Sequence, residues 1–106
     1  MNKRILLILM LSFVLVGCQN SNYEQQKTVA IAKARTIFKD QMSKGMEMSK
    51  GPCISENLIP DWVADVAHNP RQAVDDLAEN QCSSFREGKA SHFVELDENG
   101  DVIRAL

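Results

Sequence analysis

The sequence predicts a small α+β domain in which one long N-terminal helix packs on a three-stranded antiparallel sheet, with one disulfide. Two patterns predict this fold class: apolar residues recur at spacings of three and four over residues 22–48, and a strand-like alternation follows Pro60. A hairpin signal at Asn99-Gly100 is the third observation. With 106 residues, the chain is too short for a doubly wound nucleotide enzyme or a large barrel.

The first 17 residues are typical of an export signal. Lys3 and Arg4 precede an apolar run at positions 5–16, which is interrupted only by Ser12. As a helix, this run would rise roughly 18 Å, well short of the ~30 Å hydrocarbon core of a membrane. We therefore interpret residues 1–17 as a signal peptide, with an uncleaved anchor as the less favoured alternative.

The signal ends in Leu15-Val16-Gly17-Cys18, which resembles the lipobox of bacterial lipoproteins at all four positions. The resemblance implies that the Cys18 thiol receives a diacylglyceryl group through a thioether, with acyl chains such as palmitate, that the peptide bond between Gly17 and Cys18 is cleaved, and that the new N-terminus can be acylated. These chains would anchor the protein to membrane lipid on the extracytoplasmic side. Gln19 follows instead of Asp, which is similar to lipoproteins on the periplasmic side of an outer membrane, if the source cell has one. An ordinary cleaved signal with a chance cysteine is the alternative.

Cleavage before Cys18 would change the charge balance of the protein. The full chain carries −2, and the mature chain would carry −4. Residues 18–51 then contribute +3, and residues 52–106 contribute −7. The basic segment either lies against anionic lipid headgroups or covers the acidic part of its own domain. A balance this far from basic argues against a nucleic-acid partner.

The predicted domain occupies residues 23–106 and follows a short lipidated tether at residues 18–22. Ser21 and Glu24 have the spacing of a capping box, in which each side chain accepts a backbone hydrogen bond from the first turn. The apolar stripe that follows predicts one amphipathic helix, which ends before Gly51-Pro52. This stripe must be buried against the rest of the domain.

Three strands are predicted, at residues 62–67, 91–97 and 101–105, and a short helix is predicted at residues 78–87. The turn between the last two strands leaves two registers open. A two-residue loop would pair Leu96 with Ile103, whereas a three-residue loop with a bulge would pair Leu96 with Val102.

With Cys18 assigned to lipid, two cysteines remain, Cys53 and Cys82. An exported chain meets oxidising conditions, so we predict a disulfide between them. In the chain-entropy account, closing a loop of roughly thirty residues contributes on the order of 3.5 kcal/mol to stability. The alternative, a reactive thiol pair, lacks the Cys-x-x-Cys spacing that activates a thiol.

The sequence contains no motif of a nucleotide-binding loop, a metalloprotease or a serine hydrolase, so we predict no enzymatic activity and no cofactor. A polar stretch around His68 would be able to bind a ligand or a metal if the fold brought it close to His92. The structural alternative is a turn at Asn69-Pro70, with Arg71 paired to a nearby aspartate. The candidate binding residues are Trp62, Asp65, His68, Arg71, Asp75, Asp76 and His92.

The final segment, residues 91–106, resembles the closing hairpin of small exported modules such as PepSY-like and cystatin-like domains. This resemblance implies an architecture rather than an activity. We therefore expect an envelope interaction module for a protein or peptide partner, with Trp62 or Phe93 as an exposed aromatic anchor on the uncovered face of the sheet. The alternative is a small-ligand or metal-binding lipoprotein that uses His68, His92 and the nearby aspartates.

Overall fold

The computed structural model describes the backbone of residues 18–106 and the side chains of residues 22–106. The predicted signal peptide, with Gly17, and the predicted lipidation of the Cys18 thiol lie outside the described residues. The main elements are the helices α1 (Cys18–Ser43) and α2 (Ser83–Arg86) and the strands β1 (Cys53–Ile59), β2 (Trp62–Val66), β3 (His92–Leu96) and β4 (Val102–Ala105). The predicted α+β class and the long N-terminal helix are confirmed.

The sheet is mixed and has four strands in the order β1-β2-β3-β4. Strand β1 pairs with β2, and β3 with β4, in antiparallel fashion, whereas β2 and β3 run parallel. The prediction of three antiparallel strands is therefore wrong in the number of strands and in one strand direction. A parallel pair requires a crossover connection, which residues 67–91 supply without a long helix.

Strand β1 is the element that the sequence does not predict. Ile54 and Leu58 are its buried apolar residues, and they lie four positions apart. The residues between them are polar, and shifts of register interrupt the pairing with β2 on both sides of Ser55. This irregular pairing removes the simple alternation by which a strand is recognised.

Helix α1 covers one face of the sheet. Its side chains Ala30, Ala34 and Phe38 are buried along the predicted stripe and pack in one cluster with residues from all four strands. The helix begins at Cys18, so the backbone of the predicted tether is helical. In the described part of the chain, no helix has both the length and the hydropathy to cross a membrane.

The helix ends at Ser43, before the predicted end at Gly51-Pro52. Gly45 adopts a left-handed φ of 93°, which a residue with a side chain rarely adopts. The backbone N–H groups of Gly45 and Met46 donate to the carbonyls of Met42 and Gln41, which is the hydrogen-bond pattern of a Schellman motif. The chain therefore turns away from the helix axis at Gly45.

The hairpin of β3 and β4 adopts the second of the two predicted registers. Leu96 pairs with Val102, and a register shift between Glu95 and Leu96 accommodates the extra residue. The carboxylate of Asp97 accepts two backbone N–H groups of the turn, at 2.8 and 3.0 Å. This turn chemistry selects the longer loop.

The crossover, residues 67–91, passes over the face of the sheet opposite α1. It contains the 3₁₀ turns Ala73–Asp76 and Ala78–Asn80 and the single turn α2, in place of one helix at residues 78–87. The predicted disulfide is confirmed, because Cys82 is bonded to Cys53 of β1 with Cα atoms 4.9 Å apart. The crossover is therefore fixed covalently to the sheet.

Candidate functional site

The face of the sheet opposite α1 carries two rows of side chains. In the parallel pairing of β2 with β3, Val63 lies beside Phe93, and Asp65 lies beside Glu95. Strand β4 extends the second row, because Arg104 pairs with Glu95. We call Asp65, Glu95 and Arg104 the charged row. The strand pairing thus brings two acidic residues together that are separated by 30 positions in the sequence.

The crossover lies along one side of these two rows, and the space between the crossover and the rows is a cleft of about 390 Å³. Phe85 from α2 and Phe93 from β3 contribute an aromatic surface, with ring centroids 5.2 Å apart in an edge-to-face arrangement. Three arginines, Arg71, Arg86 and Arg104, line the cleft together with the two carboxyl groups of the charged row. The cleft therefore offers apolar contacts and hydrogen-bond donors next to each other.

Glu95 is buried beneath the cleft and is held by two arginines. Its Oε2 lies 3.3 Å from Nη1 of Arg71, and its Oε1 lies 3.4 Å from Nε of Arg104. Arg71 also donates from Nε to Asp76 at 2.8 Å, which confirms one of the predicted pairings of this arginine. A buried carboxylate needs such partners, and these bonds join the crossover to β3 and β4.

Asp65 is the carboxyl group of the row that lacks a partner. Its Oδ1 is fully buried and accepts no hydrogen bond from the described residues. Burial, together with repulsion from Glu95, raises the pKa of Asp65 to about 7, against the opposing attraction of Arg71 and Arg104. Near neutral pH, this carboxyl group therefore occurs in both protonation states. A buried carboxyl group with such a shift, inside a cleft, is typical of a functional site.

Glu56 on β1 positions the wall of the cleft that carries Phe85. Its carboxylate accepts the backbone N–H groups of Ser83 and Ser84, at 3.0 and 2.9 Å, and the hydroxyl of Ser83 at 2.9 Å. Burial opposes ionisation, but these hydrogen bonds outweigh it and lower the pKa of Glu56 below its ordinary value. Glu56 thus satisfies the free N–H groups at the start of α2 and fixes the direction of this turn.

His68 and Asp75 form a second polar cluster, outside the cleft, just after the end of β2. Nδ1 of His68 lies 2.9 Å from Oδ1 of Asp75, and the backbone N–H groups of His68 and Gln72 donate to Oδ2. Burial alone would raise the pKa of Asp75, but these hydrogen bonds hold it below its ordinary value. A Cβ atom added at Gly51 would lie 2.5 Å from Oδ1 of Asp75. The cluster is tightly packed and fastens the crossover to the sheet.

His92 lies at the other end of the sheet, in an aromatic cluster. Its ring stacks on Trp62 with centroids 4.7 Å apart and lies 5.5 Å from the ring of Tyr23 on α1. Oδ2 of Asp61 lies 3.7 Å from Nε2 of His92. Trp62 is buried on the α1 side of the sheet, so it does not supply the exposed aromatic anchor that we expected. Phe93 lies on the opposite face, where it is partly exposed and packs against the cluster of Val63, Cys82 and Ala90.

The predicted binding residues do not converge on one point. Trp62 pairs with His92, and His68 follows Trp62 by six residues, which span about 20 Å of extended chain. Of the seven predicted residues, Asp65 and Arg71 line the cleft. A ligand or metal site that uses both histidines is not formed in this structure.

One group of metal-binding side chains is close together within the described residues. It consists of Cys53, Glu56 and Cys82, whose ligand atoms lie within 4.8 Å of one another. The two sulfur atoms are joined in the disulfide and are therefore not thiolate ligands.

Sequence reasoning misses Glu95, Arg104, Arg86 and Phe85 as members of the site. One signal is present in the sequence: Asp65 and Glu95 occupy equivalent positions in two apolar strands, one residue before Val66 and Leu96. Alternation then predicts that both carboxyl groups point away from the α1 side. Their approach to each other depends on the parallel register, which neither strand reveals by itself.

Comparisons with known proteins give no family for this chain. No family model matches it, and neither the curated proteins nor the solved structures contain a significant match. An assignment of function therefore depends on the residues and the geometry of the cleft.

Proposed function

We propose that this protein is a lipid-anchored interaction module of the cell envelope, which holds an extended segment of a protein or peptide partner in the cleft. The observation that carries the proposal is the cleft itself, where a buried carboxyl oxygen without a partner lies beside aromatic and arginine side chains. Aromatic residues, including phenylalanine, and arginine are enriched at protein interfaces. Phe85 is 41% exposed and is therefore accessible to a partner.

The position of β4 supports an extended partner. This strand is last in the sheet order, so its outer edge has no strand partner among the described residues. Leu106 exchanges two backbone hydrogen bonds with Phe93 and is 57% exposed, so the apolar surface continues from the cleft towards this edge. An extended segment can add its backbone to such an edge while alternate side chains enter the cleft.

The engagement of the charged row favours binding over catalysis. Glu95 forms ion pairs with two arginines, and Arg71 donates from all three of its guanidinium nitrogens, to Asp76, to Glu95 and to the carbonyl of Asp75. A catalytic site requires a nucleophile or base that is free to react in contact with the substrate. Asp65 has an oxygen without a partner, but the described residues that line the cleft supply no nucleophile for it to activate, because Cys82 is bonded to Cys53.

The lipid anchor is tested by the variant Cys18→Ser. We expect the variant to leave the membrane fraction and to lack the mass of acyl chains, because two or three chains are needed for stable anchoring. Cell fractionation and intact-mass spectrometry measure both effects. A variant that stays in the membrane with an unchanged mass would contradict the anchor.

The binding site is tested by photo-crosslinking in intact cells. A photoreactive amino acid at Phe85, on the wall of the cleft, should give discrete protein adducts that mass spectrometry identifies. The matched control is the same amino acid at Ala32, which is exposed on α1, across the sheet from the cleft. Adducts of equal yield at both positions, or none at Phe85, would contradict binding in the cleft.

A further inference from the structure

We infer that the partner segment presents a side-chain carboxylate next to an apolar side chain, and that the cleft binds this carboxylate with Asp65 in its protonated form. The inference rests on the proposed function and names the chemistry of its partner. It is carried by the hydrogen-bond donors that the cleft leaves free, by the charges of the residues around it and by Asp65, a cleft-lining residue whose carboxyl group has no hydrogen-bond partner among the described residues.

The free donors belong to two of the three arginines. Arg104 uses Nε for Glu95, and its Nη1 and Nη2 have no hydrogen-bond partner among the described residues. Arg86 donates from Nη1 to the carbonyl of Ala78 at 3.3 Å, which leaves Nη2. Side-chain guanidinium groups of this kind bind carboxylates through paired, charge-assisted hydrogen bonds. The side chain of Arg104 is 52% exposed, so a ligand can reach it.

The local charge also favours an anion. Residues 52–106 carry a formal charge of −7, but three of their four basic residues line this one cleft. Asp76 balances Arg71, and Glu95 is shared by Arg71 and Arg104. Among the lining residues, three arginines stand against the two carboxyl groups of Asp65 and Glu95. With Asp76 and Asp75 included, the cluster carries −1 when Asp65 is ionised and is neutral when Asp65 is protonated, so protonation of Asp65 removes the net repulsion of an anion. A cationic ligand would instead be repelled by the arginines that line the cleft.

The apolar neighbour of the carboxylate is inferred from the aromatic surface. The guanidinium carbon of Arg104 lies 5.5 Å from the ring centroid of Phe93, and Phe85 lies against the same ring. A ligand that reaches the free Nη groups of Arg104 therefore passes over Phe93. An aromatic or branched aliphatic side chain next to the carboxylate would bury this surface.

Asp65 acts as the donor that completes the site. The charged groups that face it are Glu95 on β3, Arg104 on β4, and Arg71 and Asp75 in the crossover. In its protonated form, Asp65 is able to donate a hydrogen bond to an incoming carboxylate, whereas in its ionised form it repels that group. Because its pKa is about 7, the fraction of chains that can bind falls about tenfold between one pH unit below and one unit above this value.

The test uses the full chain in an uncharged detergent and a fluorescent, end-blocked peptide with the central sequence Phe-Glu. Two control peptides have the same flanking residues but carry Phe-Gln or Phe-Lys in place of Phe-Glu. Fluorescence anisotropy should show about tenfold or stronger preference for Phe-Glu over both controls, since charge-assisted hydrogen bonds are worth this much. Affinity for Phe-Glu should fall about tenfold from about pH 6 to about pH 8.

Two variants separate the roles of the residues. Asp65→Asn keeps a donor at every pH, so its affinity should match that of the unmodified chain at the lower pH and should no longer depend on pH. Arg104→Gln should weaken binding about tenfold at both pH values. The matched control, Arg35→Gln, changes an exposed arginine of α1 on the other side of the sheet and should leave the affinity unchanged.

Several outcomes would overturn the inference: no saturable binding of Phe-Glu at millimolar concentration, equal binding of Phe-Gln or Phe-Lys, or a pH dependence that persists in Asp65→Asn. Each of these outcomes leaves the proposed function intact if crosslinks at Phe85 still identify a partner. Loss of those crosslinks would instead remove the proposed function itself.

Discussion

The face of the sheet under α1 is closed by apolar side chains, whereas the opposite face is crossed by an irregular segment and keeps a cleft. On the closed face, buried residues from the helix and all four strands form one cluster. On the cleft face, the buried apolar cluster is limited to Val63, Cys82 and Ala90. The crossover is held there mainly by polar and covalent links, which include Glu56, Glu95, Asp75 and the disulfide.

The difference separates stability from binding within one small domain. Apolar burial on the closed face supplies most of the favourable free energy of folding, because it scales with the apolar area removed from water. The cleft face has a buried carboxyl oxygen without a partner, which opposes folding. Its aromatic surface stays exposed and therefore contributes little to folding. We therefore expect substitutions on the closed face to change stability, and those on the cleft face to change binding.

The largest loss of stability is expected for Trp62→Ala. Trp62 is 1% exposed, and its removal leaves a cavity between α1 and the sheet next to Leu58 and His92. The free energy of unfolding should fall by about 3–5 kcal/mol, measured by urea denaturation followed by circular dichroism. Val29→Ala, on the exposed side of α1, is the matched control and should change it by less than about 0.5 kcal/mol.

Removal of the disulfide should lower the free energy of unfolding nearly as much as Trp62→Ala, but the effect should arise on the cleft face. The double variant Cys53→Ala and Cys82→Ala opens a loop with a sequence separation of 29, so the free energy of unfolding should fall by about 3.5 kcal/mol. Amide hydrogen exchange should increase first in residues 67–91, because polar links and a small apolar cluster then hold the crossover without the covalent bond. Uniform exchange throughout the sheet would show that the two faces are not stabilised independently.

The closed face is the part of the molecule that the sequence predicts well. The spacing of Ala34 and Phe38 and the alternation of Trp62, Ala64 and Val66 reflect periodic burial, which depends on local geometry only. The disulfide was predictable because the interpretation of Cys18 as a lipidation site leaves two cysteines, Cys53 and Cys82, to pair. These predictions need no knowledge of which strands are neighbours.

The cleft face depends on pairings between distant segments, and the sequence does not reveal them. Strand β1 is not recognised in the sequence because the residues in its middle are polar. The parallel pairing of β2 with β3 is not recognised because the crossover between them contains no long helix. Asp65 was predicted as a binding residue, but Glu95 was not, because its role follows from the register that places the two side by side. A sequence pattern does not predict the role of a residue when that role depends on contacts between segments that are distant in the sequence.

Asp65→Asn should increase stability above neutral pH, which would show that the cleft face opposes folding. The pKa of Asp65 is raised by burial from 3.8 to about 7, so the folded state favours the protonated form. Its contribution to stability is complete below about pH 4 and is lost as the pH rises through about 7. At about pH 8 the variant should be more stable on the order of 2 kcal/mol, after allowance for partial exposure. Urea denaturation across this range measures the effect, and the control is Asp101→Asn, which changes an exposed aspartate in the turn between β3 and β4.

Phe85→Ala should have the smallest effect on stability and separates the two faces most clearly. Phe85 is 41% exposed and contacts Phe93 edge to face, so the free energy of unfolding should fall by about 1 kcal/mol or less. Binding of the Phe-Glu peptide should nevertheless weaken about tenfold, because aromatic residues in a partly enclosed cleft anchor a partner. Leu77→Ala removes a similarly exposed apolar side chain outside the cleft and should leave binding unchanged. If Phe85→Ala and Leu77→Ala had equal effects on binding, the exposed aromatic surface would be incidental, and recognition would depend on the charged row alone.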